Sequence, residues 1–331
     1  MSKVKDTEYL HLSAYLRARE ASLLSAERLE RMASAADAAE ALRLLSEAGY
    51  PDLAGASDRE FEDALAKRRA AELSDVERLC PEKDVVTAFR LRYDYHNAKV
   101  LVKSGGSLPE GANLYSGCGR VEPDVLVNAY REDVWGDVPP ALASAITAAR
   151  DALARTSNPQ LADMDLDKAC FAEMLSLTKG LSDGFYYGYA RLMIDAANLR
   201  SAVRCLRGGM DDGVLRAALI PGGTVDPDRI SELTYSEGPA AAFANGPLAQ
   251  AAALGADAAQ GAPLAGFEKA CDNALMEHLA AARRTAFGPA VAVGYLSAVE
   301  AEIVAARMVV QAKKSGVPAD ILRERLRDAY V

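Results

Sequence analysis

Tyr93-Asp94-Tyr95-His96-Asn97-Ala98-Lys99 and Ile194-Asp195-Ala196-Ala197-Asn198-Leu199-Arg200 share an Asp-x-x-Asn core, with Asp195 lying 101 residues after Asp94. At the same offset, Leu91, Tyr95, Ala98 and Val102 correspond to Leu192, Ala196, Leu199 and Val203. Steps of four, three and four make the apolar stripe of a helix with one buried face. Both stretches run into paired glycines, Gly105-Gly106 and Gly208-Gly209, the residue that most readily ends a helix. A buried helix recurring at a fixed step implies a repeated structural unit.

Working outward, Val299-Glu300-Ala301-Glu302-Ile303 gives a third, weaker copy. Glu300 takes the place of Asp195 at a step of 105, while Ser297 and Gln311 interrupt the stripe. Its helix is expected to begin at Gly288-Pro289, with proline in the first turn, and to end at Ser315-Gly316. Asp167-Lys168-Ala169-Cys170 returns as Glu268-Lys269-Ala270-Cys271 at a step of 101. Gly119 to Asp124 returns as Gly223 to Asp228 at a step of 104, each a loop feeding a helix with an acid and proline at its start. Leu24 to Leu29 and Val317 to Leu322 have the same character. The expected fold is all-α: three pseudosymmetric helical repeats over residues 1–107, 108–212 and 213–331. The boundaries fall in the glycine-rich Ser104–Gly111 and Gly208–Gly213. No useful period-two alternation marks a strand. The stretch from Ala240 to Pro263 is assigned to no copy.

The 331 residues suffice for two or three domains or one repeat assembly, and half are apolar with only 6% aromatic. Abundant alanine suits closely packed helices. A formal charge of −9 argues against a dedicated nucleic-acid surface. Cys80, Cys118, Cys170, Cys205 and Cys271 are odd in number and scattered, as buried thiols of a reducing compartment would be. Met1 to Glu8 mixes charges and leads into no apolar core, so no secretory signal is expected. Ala286 to Val299 is the best membrane-span candidate, but it is short and soon meets Glu300, Glu302 and Arg307.

Motifs that carry chemistry are missing. There is no Gly-Lys dipeptide for a phosphate loop, no Gly-x-Ser-x-Gly elbow and no Asp-Asp-x-x-Asp cluster. Gly117-x-Gly119 has Glu122 where a dinucleotide fingerprint needs glycine. Asp163-x-Asp165-x-Asp167 begins like a calcium loop, but Lys168 and Met174 replace its glycine and glutamate. These acids read instead as solvating and capping a helix start. His11, His96 and His278 stand apart from one another. No catalytic, cofactor-binding or metal-ligating residue is therefore expected, nor any bound cofactor.

Asp94 with Asn97, and Asp195 with Asn198, share a helix face and are expected to hydrogen-bond neighbouring helices. Lys99 and Lys103, Arg200 and Arg204, and then Arg307 recur on the corresponding helices. They are candidate partner-binding residues, for an acidic surface or anionic headgroups. Cations that merely favour helix C-termini would give the same pattern.

These stretches resemble the C-type member of archaeal and bacterial V/A-type ATPases, the counterpart of the d-type member of vacuolar ATPases. The carrying residues are Tyr93 to Asn97, Leu166 to Phe171, Ile194 to Asn198, Ile220-Pro221-Gly222-Gly223 and Phe287-Gly288-Pro289. Arg17 to Leu24 and Arg323 through Val331 fit as well, in the family's order over nearly the whole chain. The resemblance implies a funnel of three lobes that catalyses nothing and couples ATP hydrolysis or synthesis to ion transport. It further implies a place on the cytosolic face of the membrane. The implied partners are central-shaft proteins of D and F type and the membrane rotor ring. The cytosolic part of the membrane stator is a further candidate. Nucleic acid and nucleotide are not among them. A helical enzyme with a site between lobes, or an unrelated helical scaffold, are the competing readings.

Overall fold

A computed structural model of the chain describes residues 4–107 and 114–331, and every regular element among them is helical. In order these are α1 (Leu10–Glu20), α2 (Ala26–Ser34), α3 (Ala38–Ser46), α4 (Asp58–Leu79), α5 (Asp84–Ser104), α6 (Pro123–Glu132), α7 (Pro140–Thr156) and α8 (Pro159–Lys179). There follow α9 (Phe185–Arg207), α10 (Asp212–Ala218), α11 (Pro227–Ser236), α12 (Ala249–Ala259), α13 (Leu264–Ala280), α14 (Pro289–Lys314) and α15 (Ala319–Arg325).

The start and stop signals act as the local chemistry dictates. Proline occupies the first turn of α6, α7, α8 and α14, where its missing N–H costs nothing. Ser25, Ser57 and Asp211 each accept a backbone N–H at the start of α2, α4 and α10, and Glu60 completes a capping box with Ser57. Gly105 ends α5 at φ +60°, in the left-handed region open to glycine.

The chain forms two compact units, residues 83–236 and residues 4–82 with 237–331. In the first, α5 packs on α8 and both pack on α7. Lys99 pairs with Asp167 at 2.5 Å and Lys103 with Asp163 at 3.1 Å. Four residues forward on α5 match four backward on α8, so the two helices run antiparallel. One buried cluster joins Leu91, Tyr95, Ala98 and Val102 of α5 with Leu166 of α8 and Ile146 of α7. The acids at 163, 165 and 167 therefore do not cap a helix. Asn158 caps α8, and Asp163 and Asp167 lie along it, facing lysines.

In the second unit α14 is the core, packed by α1, α3 and α4. Its first eleven residues, 289–299, are buried without a break, as in a helix that is apolar all round. By length and composition α14 alone among the described residues could span a membrane, but 78% of its apolar window is buried inside the protein. Here too the ion pairs run antiparallel: Arg307 with Glu62, Arg69 with Glu300, and Lys314 with Asp58. The stretch left unassigned contains α12, which packs on α13. The first expected boundary, within 104–111, runs into residues 108–113, outside the described residues.

Candidate functional site

The polar residues of the long helices grip loops. On α5, Arg90, Asp94 and Asn97 follow at steps of four and three, so all three share one face. Asn97 Nδ2 donates to the Ser116 carbonyl, and the Ser116 N–H donates back to Asn97 Oδ1, both at 2.8 Å. Asp94 Oδ1 accepts the N–H groups of Arg120 and Val121 at 2.8 and 3.2 Å, while Asp94 Oδ2 accepts Arg120 Nε at 2.5 Å. Arg90 Nη1 donates to the Cys118 carbonyl at 3.1 Å. A helix face thus satisfies the backbone of a loop that has no ladder of its own. Gly119 is required here, because a Cβ would lie 2.3 Å from Asp94 Oδ1.

On α9 the same clasp is made by Arg191, Asp195 and Asn198. Asn198 exchanges both bonds with Ile220 at 2.8 Å. Asp195 accepts the N–H groups of Thr224 and Val225 and the Thr224 hydroxyl. Arg191 Nη2 donates to the Gly223 carbonyl at 2.8 Å, and a Cβ on Gly223 would approach Asp195 Oδ1 to 2.1 Å. These residues were expected to bind neighbouring helices, but they bind the loops leading into α6 and α11. The reason is that both the acid and the amide meet unpaired backbone groups there. The sequence reading missed Arg90 and Arg191, although they keep the 101-residue step.

The third clasp departs from expectation. Glu300, aligned with Asp195, instead pairs with Arg69 Nε at 3.0 Å. Two residues on, about 200° around the helix, the buried Glu302 accepts the Leu24 N–H at 2.6 Å and the Tyr50 hydroxyl at 2.7 Å. Leu24 leads into α2 as Val121 leads into α6. Ala298 and Ala305 stand where the other helices carry arginine and asparagine. Burial raises the pKa of both Asp94 and Glu302 above the ordinary carboxylate values, outweighing the lowering by Arg120 and by the N–H and hydroxyl donors.

A second network accompanies the clasps. Glu173 on α8 accepts Arg120 Nη1 at 2.6 Å and the Tyr95 hydroxyl at 3.0 Å. Glu72, which lies 101 residues earlier on α4, accepts the Tyr295 hydroxyl at 2.7 Å and Arg19 Nη2. Each unit therefore contains a buried or half-buried Tyr-Glu-Arg brace. In both, a carboxylate holds a tyrosine hydroxyl and a guanidinium at once through charge-assisted bonds.

Of the candidate partner residues, Lys99, Lys103 and Arg307 lie in the intramolecular ion pairs above, while Arg200 is half-buried and Arg204 exposed near the end of α9. His96 is exposed and its Nε2 lies 2.9 Å from the Leu114 carbonyl oxygen. Acids, amides and arginines of the clasps face backbone groups and one another, an arrangement that positions chain segments.

Residues 12–325 match the family described as ATP synthase (C/AC39) subunit. The chain is 25% identical to the C-type member of the V-type sodium ATPase of Enterococcus hirae, over 98% of this chain and 99% of that protein. It is 27% identical to the C-type member of the V-type ATP synthase of Thermus thermophilus, over 61% of this chain and 65% of that protein.

Proposed function

The chain belongs to the ATP synthase (C/AC39) subunit family, with curated relatives in a V-type sodium ATPase and a V-type ATP synthase, and from that premise we propose that it is a non-catalytic adaptor between the central shaft and the membrane rotor ring of a rotary ATPase. Such an adaptor couples ATP hydrolysis or synthesis to proton or sodium movement from the cytosolic face of the membrane. The carrying observation is the family match over 12–325, joined to a fold in which buried clasps and braces hold loops on long helices. Packed helical cores deform little, and charge-assisted bonds add direction to that stiffness, as torque transmission requires.

The proposed partners are shaft proteins of D and F type and the rotor ring, with the membrane stator as a further candidate. The three-repeat division and funnel belong to the same reading, with α5, α9 and α14 as equivalent helices. Lys99, Lys103, Arg200, Arg204 and Arg307 are the proposed contact residues, with Lys99, Lys103 and Arg307 binding by exchanging their internal acidic partners for those of another protein. Removing the adaptor should leave ATP hydrolysis by the detached catalytic head intact while abolishing ATP-driven ion uptake in reconstituted vesicles. Vesicles pumping at full rate without it would end the proposal.

A further inference from the structure

We propose that residues 326–331 form a releasable strap across the Glu302 clasp, docked while Glu302 keeps its proton and loosened when it ionises. Every contact involved lies within the unit of residues 4–82 with 237–331, and the inference does not depend on the adaptor reading.

The strap follows α15 and has no regular structure of its own, yet side chains hold it along its length. Arg327 Nε donates to Asp272 Oδ2 at 2.7 Å, and the Asp328 N–H donates to Asn273 Oδ1 at 3.2 Å, both acceptors lying on α13. Tyr330, only 5% exposed, is the anchor. Arg283 Nη1 donates to its carbonyl at 3.1 Å, and the Arg283 guanidinium lies 6.0 Å from its ring centroid. Gly294 makes room for the ring, because a Cβ there would lie 2.6 Å from the Tyr330 hydroxyl oxygen. Glycine inside a helix costs stability, and on α14 that cost opens the seat of the strap.

Beneath the strap lies a cavity of about 30 Å³, bordered by Leu24, Leu29, Ala298 and Glu302 and by Asp328 and Tyr330 of the strap itself. It has room for about one or two waters. Glu302 is 5% exposed, and both its hydrogen-bond donors, the Leu24 N–H and the Tyr50 hydroxyl, are neutral. The charges that face it are Arg68 and Glu72 on α4 and Arg327 and Asp328 on the strap. Arg68 already pairs with Glu72, and Arg327 with Asp272. Asp328 adds a like charge, while the Tyr330 hydroxyl reaches Glu20 on α1 at 3.5 Å. An ionised Glu302 therefore needs water that the docked strap excludes, and it repels Asp328. Burial already holds its pKa above the ordinary carboxylate value, the direction that ties docking to protonation. Release admits water to Glu302, so ionisation and undocking support one another.

The test is hydrogen exchange followed by mass spectrometry on the full chain, with protection of the amides of residues 326–331 corrected for the intrinsic rate at each pH. Protection should fall as pH rises from the acid range to neutrality, by about tenfold for each unit by which docking raises the Glu302 pKa. In Glu302→Gln, which still accepts a hydrogen bond but cannot ionise, protection should not change with pH. A strap whose protection is independent of pH in the unmodified chain, or falls equally in Glu302→Gln, would overturn the proposal. The reciprocal measurement uses Tyr330→Ala, which removes the anchor, and follows the Glu302 carboxyl titration by NMR. Its midpoint should drop by about one unit or more relative to the unmodified chain. An unchanged midpoint would overturn the proposal as well.

Discussion

The clasps of α9 and α14 perform one task with different means. On α9, Arg191, Asp195 and Asn198 bind the loop at Ile220, Gly223, Thr224 and Val225. On α14, Ala298 and Ala305 contribute no polar group, and Glu302 alone binds one backbone N–H, with Tyr50 as a second donor. Several short side chains acting together fix the position of a whole loop, whereas one longer carboxylate fixes a point. The difference teaches that this fold holds the entry to a short helix against a long one more strictly than it keeps the residues that achieve it.

The comparison predicts unequal costs. Asp94→Ala strips two N–H groups and an arginine of their buried acceptor and should destabilise by about 3–5 kcal/mol, as breaking a buried charge pair does. Glu302→Ala should cost about 2 kcal/mol, since two neutral donors lose a partner. Urea denaturation of both variants checks this, and equal losses would erase the distinction between whole-loop and single-point clasps. Gly223→Ala, which forces a Cβ against Asp195, should cost about 1–3 kcal/mol as an overpacked site. The same change at Gly209, where a Cβ meets nothing within 4 Å, would show only the backbone cost of its φ of +63°.

The pH dependence sharpens the contrast further. Burial holds the Glu302 pKa above its unfolded value, so its ionisation opposes folding. Stability from this group is complete below about pH 4.3 and is lost as pH rises through the raised folded value. Glu302→Gln does not titrate, so relative to it the unmodified chain should lose ground in thermal melts as pH rises from the acid range to neutrality. A gain instead would mean that the Leu24 and Tyr50 hydrogen bonds outweigh burial. At the smallest end, Arg216→Ala removes exposed pairs with Asp212 and Asp228 and should change stability by under about 0.5 kcal/mol.

Much of this was legible in the sequence for local reasons. The starts at Pro123, Pro227 and Pro289 and the glycines after α5 and α9 follow from backbone chemistry confined to a few residues. The Asp-x-x-Asn pairs announced themselves by spacing, but not their partners, because Ser116 and Ile220 present only backbone. Glu302 was passed over for Glu300 because alignment by composition cannot see which side of a helix faces inward. The acids of α8 were misplaced for a similar reason: their partners, Lys99 and Lys103, are 68 and 60 residues away. Glu72 and Glu173 keep the 101-residue step but were not singled out, since each brace joins three separate segments.

The asparagine clasp has a consequence of its own. A side-chain amide has the shape and polarity of a peptide group, so Asn97 and Asn198 each act as a single residue of an adjoining strand, offered from the flank of a helix. The loop obtains the pairing a sheet would provide without acquiring a second unpaired edge that could recruit another chain. Because this pairing is blind to the side chain it holds, serine and isoleucine are accepted alike.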